Sequence, residues 1–293
     1  MEKEITPINK LSWSDKLKSY TKHPGSFVLL LLVSISAVLT VTVLIYLVGY
    51  ILIHGVPYLK PELFSFTYNS DNVSMMPAII NTVTMVLLAL LFSVPFGIGA
   101  AIYLVEYAKK GNKLVELVRV TAETLTGIPS IVYGLFGMLF FVRALGWDYS
   151  MLAGAATLAI MVLPVIMRTT EEALLCVPDS FREGSFGLGA GKLRTIFKIV
   201  LPSAIPGILS GVILAIGRIV GETAALIYTA GTVAQVAGIK NSGRTLAIHM
   251  YSLSREGLHT NEAYATAVVL LAVVLLINGL SSLIARKLES VKE

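Results

Sequence analysis

The stretch FVLLLLVSISAVLTVTVLIYLVGYILI, Phe27–Ile53, decides the solvent in which this chain folds. It holds no charged residue over 27 positions. A bilayer core about 30 Å thick needs roughly 20 apolar helical residues. The run is therefore long enough to cross, and too long for the apolar core of a signal peptide. We read it as a retained first span, preceded by a polar tail carrying Lys3, Lys10, Lys16, Lys18 and Lys22. Working outward, five further segments of spanning length follow at about 78–106, 124–145, 150–167, 205–230 and 264–285. The expected class is an all-α membrane protein with six transmembrane helices. Composition agrees, with 55% hydrophobic and only 14% charged residues and a mean hydropathy of +0.79. No internal repeat or low-complexity tract is visible.

The placement of charge gives the orientation. An even number of spans puts both termini on one side. Residues 1–26, 107–122, 168–202 and 286–293 on that side hold 17 Lys and Arg, against 5 in the opposite loops. Basic residues accumulate in cytoplasmic loops, so both termini are expected in the cytoplasm and the loops 54–77 and 231–263 outside. The net charge of +5 forms no basic stripe interleaved with aromatics, which argues against nucleic acid as a partner. Cys176, the only cysteine, excludes an internal disulfide and makes no metal cluster alone. No metal site is expected.

Between the fourth and fifth spans the segment Arg168–Pro202 is too long for a simple turn. It reads Arg182-Glu183-Gly184-Ser185-Phe186-Gly187-Leu188-Gly189-Ala190-Gly191-Lys192, then Thr195-Ile-Phe-Lys-Ile199-Val-Leu201-Pro202. A short helix starting near Asp179-Ser180, both good N-cap residues, would carry Glu183. Gly187, Gly189 and Gly191 allow close backbone approach or a positive φ. Such a surface suits docking into another protein's groove. Two nucleotide motifs fail here. The third glycine comes one position early for a dinucleotide fingerprint, and Gly191-Lys192 lacks both the following Ser/Thr and the leading glycine of a phosphate loop.

This segment resembles the EAA motif of the permeases of binding-protein-dependent ABC importers. That motif reads Glu-Ala-Ala, three residues, Gly, nine residues, Ile, one residue, Leu-Pro. Glu183, Gly189, Ile199, Leu201 and Pro202 fall at those spacings, with Gly184 and Ser185 in place of the alanines. The resemblance implies a type I importer permease (MetI-like) fold over about 78–285, and a groove belonging to an ATPase subunit whose motion residues 179–202 transmit.

Within the fifth span, Gly217-Arg218-Ile-Val-Gly221-Glu222-Thr223 places an arginine near mid-span, where it costs roughly 2.5–3.5 kcal/mol on insertion scales. Glu222 follows one turn later. Two readings stand: a self-neutralising structural pair, or an arginine facing a water-filled path, attracting an oxyanion in bidentate geometry while Glu222 orients it. Small residues at 207, 211 and 215, and at 217, 221 and 225, would let neighbouring helices approach. In the third span, Thr126-Gly-Ile-Pro129-Ser130-Ile-Val-Tyr133-Gly134 suggests a broken helix restarting near Ser130, whose free N–H groups would favour an anion. A simple proline kink is the alternative. Pro95 and Pro164 read as kinks.

Asn81-Thr82, the stretch from Pro95 through Tyr103 and Glu106 to Ala108, the run Gly127–Gly134 and Gly217–Thr223 look like the phosphate-specific branch of the same permease family. The chain from Leu246 to Leu288 is more similar to its A-type than to its C-type permease. The resemblance implies inorganic phosphate as substrate; lipid forms the surroundings, and the residues read above place Arg218, Glu222, Ser130 and Thr223 on the expected pathway. It implies a C-type permease, two ATPase subunits and an external phosphate-binding protein as partners. ATP and Mg would be held by the ATPase, with no cofactor and no catalysis in this chain. Rival readings are a permease for sulfate or molybdate, an ATP-independent secondary transporter, and a membrane hydrolase using Ser130 with His249. The last lacks any Gly-x-Ser-x-Gly or His-Glu-x-x-His motif.

Overall fold

The computed structural model describes residues 24–109 and 111–290, all helix, turn or loop with no strand among them. Most of the N-terminal tail assigned to the cytoplasm, and residues 291–293 at the other end, lie outside the described residues. The chain divides into two compact units at Ile53–His54. The first contains α1 (Pro24–Gly55) up to Ile53, a helix apolar on every face, as expected of one surrounded by hydrocarbon.

The second unit is a helical bundle. It comprises α2 (Met76–Ile102), α3 (Lys113–Thr126), α4 (Ser130–Gly137), α5 (Met151–Leu175), α6 (Asp179–Gly187), α7 (Lys192–Thr195), α8 (Leu201–Gly221), α9 (Ala224–Ile227), α10 (Leu246–Glu256) and α11 (Thr260–Ser290). Counting α1, five helices are long and apolar enough to cross a membrane. Counted as one span, the bent pair Lys113–Thr126 and Ser130–Ala144 makes up to six.

α5 is the centre of the bundle. Ala153, Ala155, Leu158, Met161, Val162 and Ile166 are buried in it, packed against α2, α4 and α8. Between helices in lipid the gain comes from van der Waals fit rather than from expelling water, so small residues are favoured at the contacts. α2 shows the resulting pattern. Ala78, Thr82, Met85, Ala89, Ser93 and Gly97 face inward at helical spacing, while Val83, Leu87 and Leu91 face outward. A Cβ on Gly97 would meet Ile166 Cγ2 at 2.9 Å, which keeps α2 and α5 in close contact. The buried hydroxyls return their hydrogen bonds to the preceding turn: Thr82 to Ala78 at 2.7 Å, Ser93 to Ala89 at 2.9 Å and Thr157 to Ala153 at 2.8 Å.

Three of the expected span boundaries are corrected. The third span is not one helix over 124–145. Its apolar part begins at Ser130 and turns through 102° from α3. The Tyr133 hydroxyl donates to the Leu125 carbonyl at 2.7 Å across the bend, beside the Ile128 N–H that donates to the same carbonyl at 3.2 Å. The simple kink is thereby replaced by a true break. The fourth span does not stop at 167 but continues to Leu175, because Arg168 pairs with Glu172 (3.3 Å) and Arg119 with Glu171 (2.6 Å) and the charges stay on the helix. The fifth span does not run to 230. It ends at Gly221, where Glu222 turns extended.

Candidate functional site

The 179–202 segment is built on α6. Its cap is Pro178 rather than Asp179 or Ser180. Proline suits this place because its fixed φ leads into the helix, and Asp179 in the first turn favours the helix dipole. Glu183 is exposed on the outer face of the segment. Around it Phe181, Phe186, Leu188, Leu193 and Phe197 also face outward, with Leu188 91% exposed. Gly189 takes φ +82°, which ends the helix, and of the three glycines it alone needs a positive φ. Inside the turn Ser185 and Thr195, both buried, share a hydrogen bond of 2.8 Å that joins the two halves of the segment.

The later positions of the motif lie in the helix that follows. Ile199, Leu201 and Pro202 are only part-exposed. Leu201-Pro202 does not close the loop, since the helix is already continuous from Lys192 to Gly221. A π turn at Ile196–Val200 widens the backbone just before Pro202, which has no N–H to donate.

At the other candidate site, Arg218 sits in the last turn of α8 and not at mid-span. Among the described residues no carboxylate pairs with it. The Arg218–Glu222 pair, one of the two readings of this stretch, does not form among the described residues. Glu222 is buried and its Oε1 accepts the Ala225 N–H at 3.0 Å, so it caps α9. Thr223 precedes α9, and its hydroxyl makes only a 3.4 Å contact with the Gly221 carbonyl. Ser130 opens α4. The structure brings these elements together because α4 packs on α9: a Cβ on Gly134 would lie 2.7 Å from Ala225 Cα. Tyr133 is near enough to Arg218 for the two to interact electrostatically. Of the two stripes of small residues, Gly207 packs on Ala173 and Gly211 on Thr169 of α5, whereas Gly217 and Gly221 border open space beside Arg218.

The hydrolase reading fails on geometry. His249 is fully buried near Tyr68 and Arg244 at the end of the bundle where α10 meets α2. Burial, and next the charge of Arg244, hold its pKa down at about 3. Nearby, Asn81 accepts the Ala237 N–H (3.0 Å) and donates to the carbonyls of Gln235 (2.8 Å) and Arg244 (3.1 Å). The Thr82 hydroxyl accepts the Leu246 N–H at 2.8 Å. Asn81 and Thr82 thus tie the 231–246 loop to α2. A cleft of about 740 Å³ between α3, α5 and the end of α2 is lined by Arg119, Glu123, Arg168 and Glu171. With Lys109, Glu116 and Glu172 the lining holds three basic and four acidic residues, and both arginines are paired, so it does not attract an anion.

The second unit is thus a bundle of apolar helices long enough to cross a membrane, with a glycine-turned segment exposed between two of them and an arginine at a helix break. Residues 93–290 match the family model described as binding-protein-dependent transport system inner membrane component, and the chain belongs to that family. It is 34% identical over 243 residues to the probable ABC transporter permease protein YqgI of Bacillus subtilis (strain 168), covering 76% of this chain and 81% of that one. Over 154 residues it is 41% identical to the phosphate transport system permease protein PstA 1 of Mycobacterium tuberculosis (strain CDC 1551 / Oshkosh), covering 53% and 50%. The fold is similar to a chain in the crystal structure of a bacterial alginate ABC transporter with an alginate pentasaccharide-bound periplasmic protein. There the TM-score is 0.68 at 16% identity, covering 92% and 97%.

Proposed function

We propose that the chain is the membrane-spanning permease subunit of an ATP-driven importer of inorganic phosphate. The carrying observation is the 179–202 segment, which turns Glu183 and five apolar side chains outward on a left-handed glycine while its inner face is closed by Ser185 and Thr195. An independent carrier has no use for such a dock. The segment faces an ATPase that holds ATP and Mg, so this chain hydrolyses nothing itself. A second, C-type permease completes the pore, two ATPase copies drive it, and an external binding protein delivers the anion. Both termini lie in the cytoplasm. Phosphate as the cargo rests on the name of the M. tuberculosis relative and on Arg218, a guanidinium beside open space with no carboxylate to neutralise it. Ser130 and Thr223 line the same path, and Glu222 shapes it by capping α9.

The test is expression of the chain with a C-type permease, an ATPase and a binding protein from the same source, followed by uptake of labelled phosphate against excess sulfate or molybdate. The reading predicts ATP-dependent uptake that neither competitor suppresses. Suppression by either would reassign the cargo, and uptake without the ATPase would overturn the class.

A further inference from the structure

We infer that Arg182 and Glu106 form the joint through which movement of the 179–202 segment reaches the second span, and that α2 carries this movement to the opposite end of the bundle. The inference rests on the function proposed above. Arg182 is next to the exposed Glu183 but points the other way, with a side chain 14% exposed against 9% for Glu106. Its Nε and Nη2 both donate to Glu106 Oε1, at 3.0 and 2.8 Å. Nη2 also reaches the Leu174 carbonyl at 3.0 Å, and Nη1 reaches the Val177 carbonyl (2.8 Å) and Asp179 Oδ1 (3.2 Å). A guanidinium has five N–H donors, and here every one is used. One side chain therefore holds together α6, the end of α5 and the π turn Tyr103–Tyr107 that finishes α2.

The second half of the segment grips the same turn, with Lys192 Nζ 4.7 Å above the Tyr107 ring. Since Ser185 and Thr195 bond the two halves to each other, the segment moves as a unit with two grips on α2. The helix that this turn finishes continues through Pro95 without a break over 32 residues, Met76–Tyr107, about 48 Å at 1.5 Å per residue, so the proline read as a kink does not interrupt it. At its far end Asn81 and Thr82 hold the 231–246 loop by four hydrogen bonds. A displacement imposed on α6 is thus passed through a part-buried ion pair into a rod, and from the rod to the loop at the other side. Buried pairs with full hydrogen bonding resist being pulled apart, because separation leaves charges unpaired in a poor solvent. Arg182, Glu106 and Asn81 are positioning residues; none of them is proposed to touch the cargo.

The experiment uses the complete complex in proteoliposomes and reads phosphate imported per ATP hydrolysed. Arg182→Lys keeps the charge but loses the five-bond fork, Glu106→Gln keeps the shape but loses the charge, and Asn81→Ala cuts the rod at its far end. Each variant is expected to co-purify with the ATPase as the native chain does, and to hydrolyse ATP, while import per ATP falls about tenfold, the size of a coupling near 1.4 kcal/mol. Arg182→Lys with Glu106→Gln together are expected to be no worse than either alone, since both break one joint. An unchanged ratio in all three variants would overturn the inference, and so would hydrolysis and import falling in proportion. Loss of the ATPase from Glu106→Gln and Arg182→Lys alike would reduce the pair to a folding role. A native complex that imports no phosphate would instead contradict the proposed function.

Discussion

Arg218 and Glu222 are one helical turn apart, yet they do different work. A charge at the end of a span with no partner costs less than one at mid-span, because the break at Glu222 and the open space beside Gly217 and Gly221 leave it access to polar surroundings. Replacing Arg218 by Gln should leave assembly intact and reduce phosphate uptake about 10- to 100-fold, the range of one charged hydrogen bond. Glu222→Ala should instead lower stability by about 1 kcal/mol through loss of the α9 cap, seen as a lower melting temperature of the purified complex. Exchanging the two, Arg218→Glu with Glu222→Arg, should restore nothing. Recovery of uptake in that double variant would show an ion pair after all. His249 adds a pH dependence. Its folded pKa of about 3 lies below the ordinary value near 6.5, so the unfolded chain takes up the proton first. Its contribution to stability is complete above about pH 6.5 and is lost on acidification towards 3, at up to about 1.4 kcal/mol per pH unit. Melting temperature between pH 7 and 5 should fall less in His249→Leu than in the native protein. Equal slopes would exclude His249 as the sensitive group.

The helices were legible in the sequence where hydropathy decides them, and their ends were not. Arg168 looks like the end of the fourth span because charge interrupts the apolar run, but its i,i+4 pair with Glu172 lets α5 continue. Gly221 does not look like an end, since Ala224, Ala225, Leu226 and Ile227 continue the apolar pattern; the stop lies in a buried carboxylate capping the next turn. The break at Gly127–Pro129 was readable, because proline and glycine act locally. The Arg182–Glu106 joint was not, since its partners lie 76 positions apart and only folding brings them together. A single acidic residue at the end of an apolar span, Glu106, was the available signal. In the 179–202 segment the exposure of Glu183 and the positive φ of Gly189 were legible, while the place of Ile199, Leu201 and Pro202 in a continuous helix was not. Gly189→Val should therefore be the most damaging single change there. A β-branched residue at φ +82° costs about 1–2 kcal/mol and would unfold the turn. Less ATPase should co-purify with it, and less also with Glu183→Ala. Normal recovery and transport in both would remove the docking role.

For the whole molecule the account requires the two ends of the bundle to lie on opposite sides of the membrane. Leu188 and Lys240 are both exposed, one on each end. Cysteines placed there singly, with the exposed Cys176 changed to Ser, should react with an impermeant thiol reagent from opposite sides, Lys240→Cys from outside and Leu188→Cys only after the membrane is opened. The central claim is that this chain passes phosphate through the membrane at the expense of ATP hydrolysed elsewhere. It is tested most directly by sealed proteoliposomes containing the complete complex, with binding protein and labelled phosphate outside and ATP and Mg inside. Phosphate should accumulate inside, and accumulation should stop when ATP is left out and when Arg218→Gln replaces the native chain. Equal uptake with and without ATP, or full uptake with Arg218→Gln, would contradict the claim.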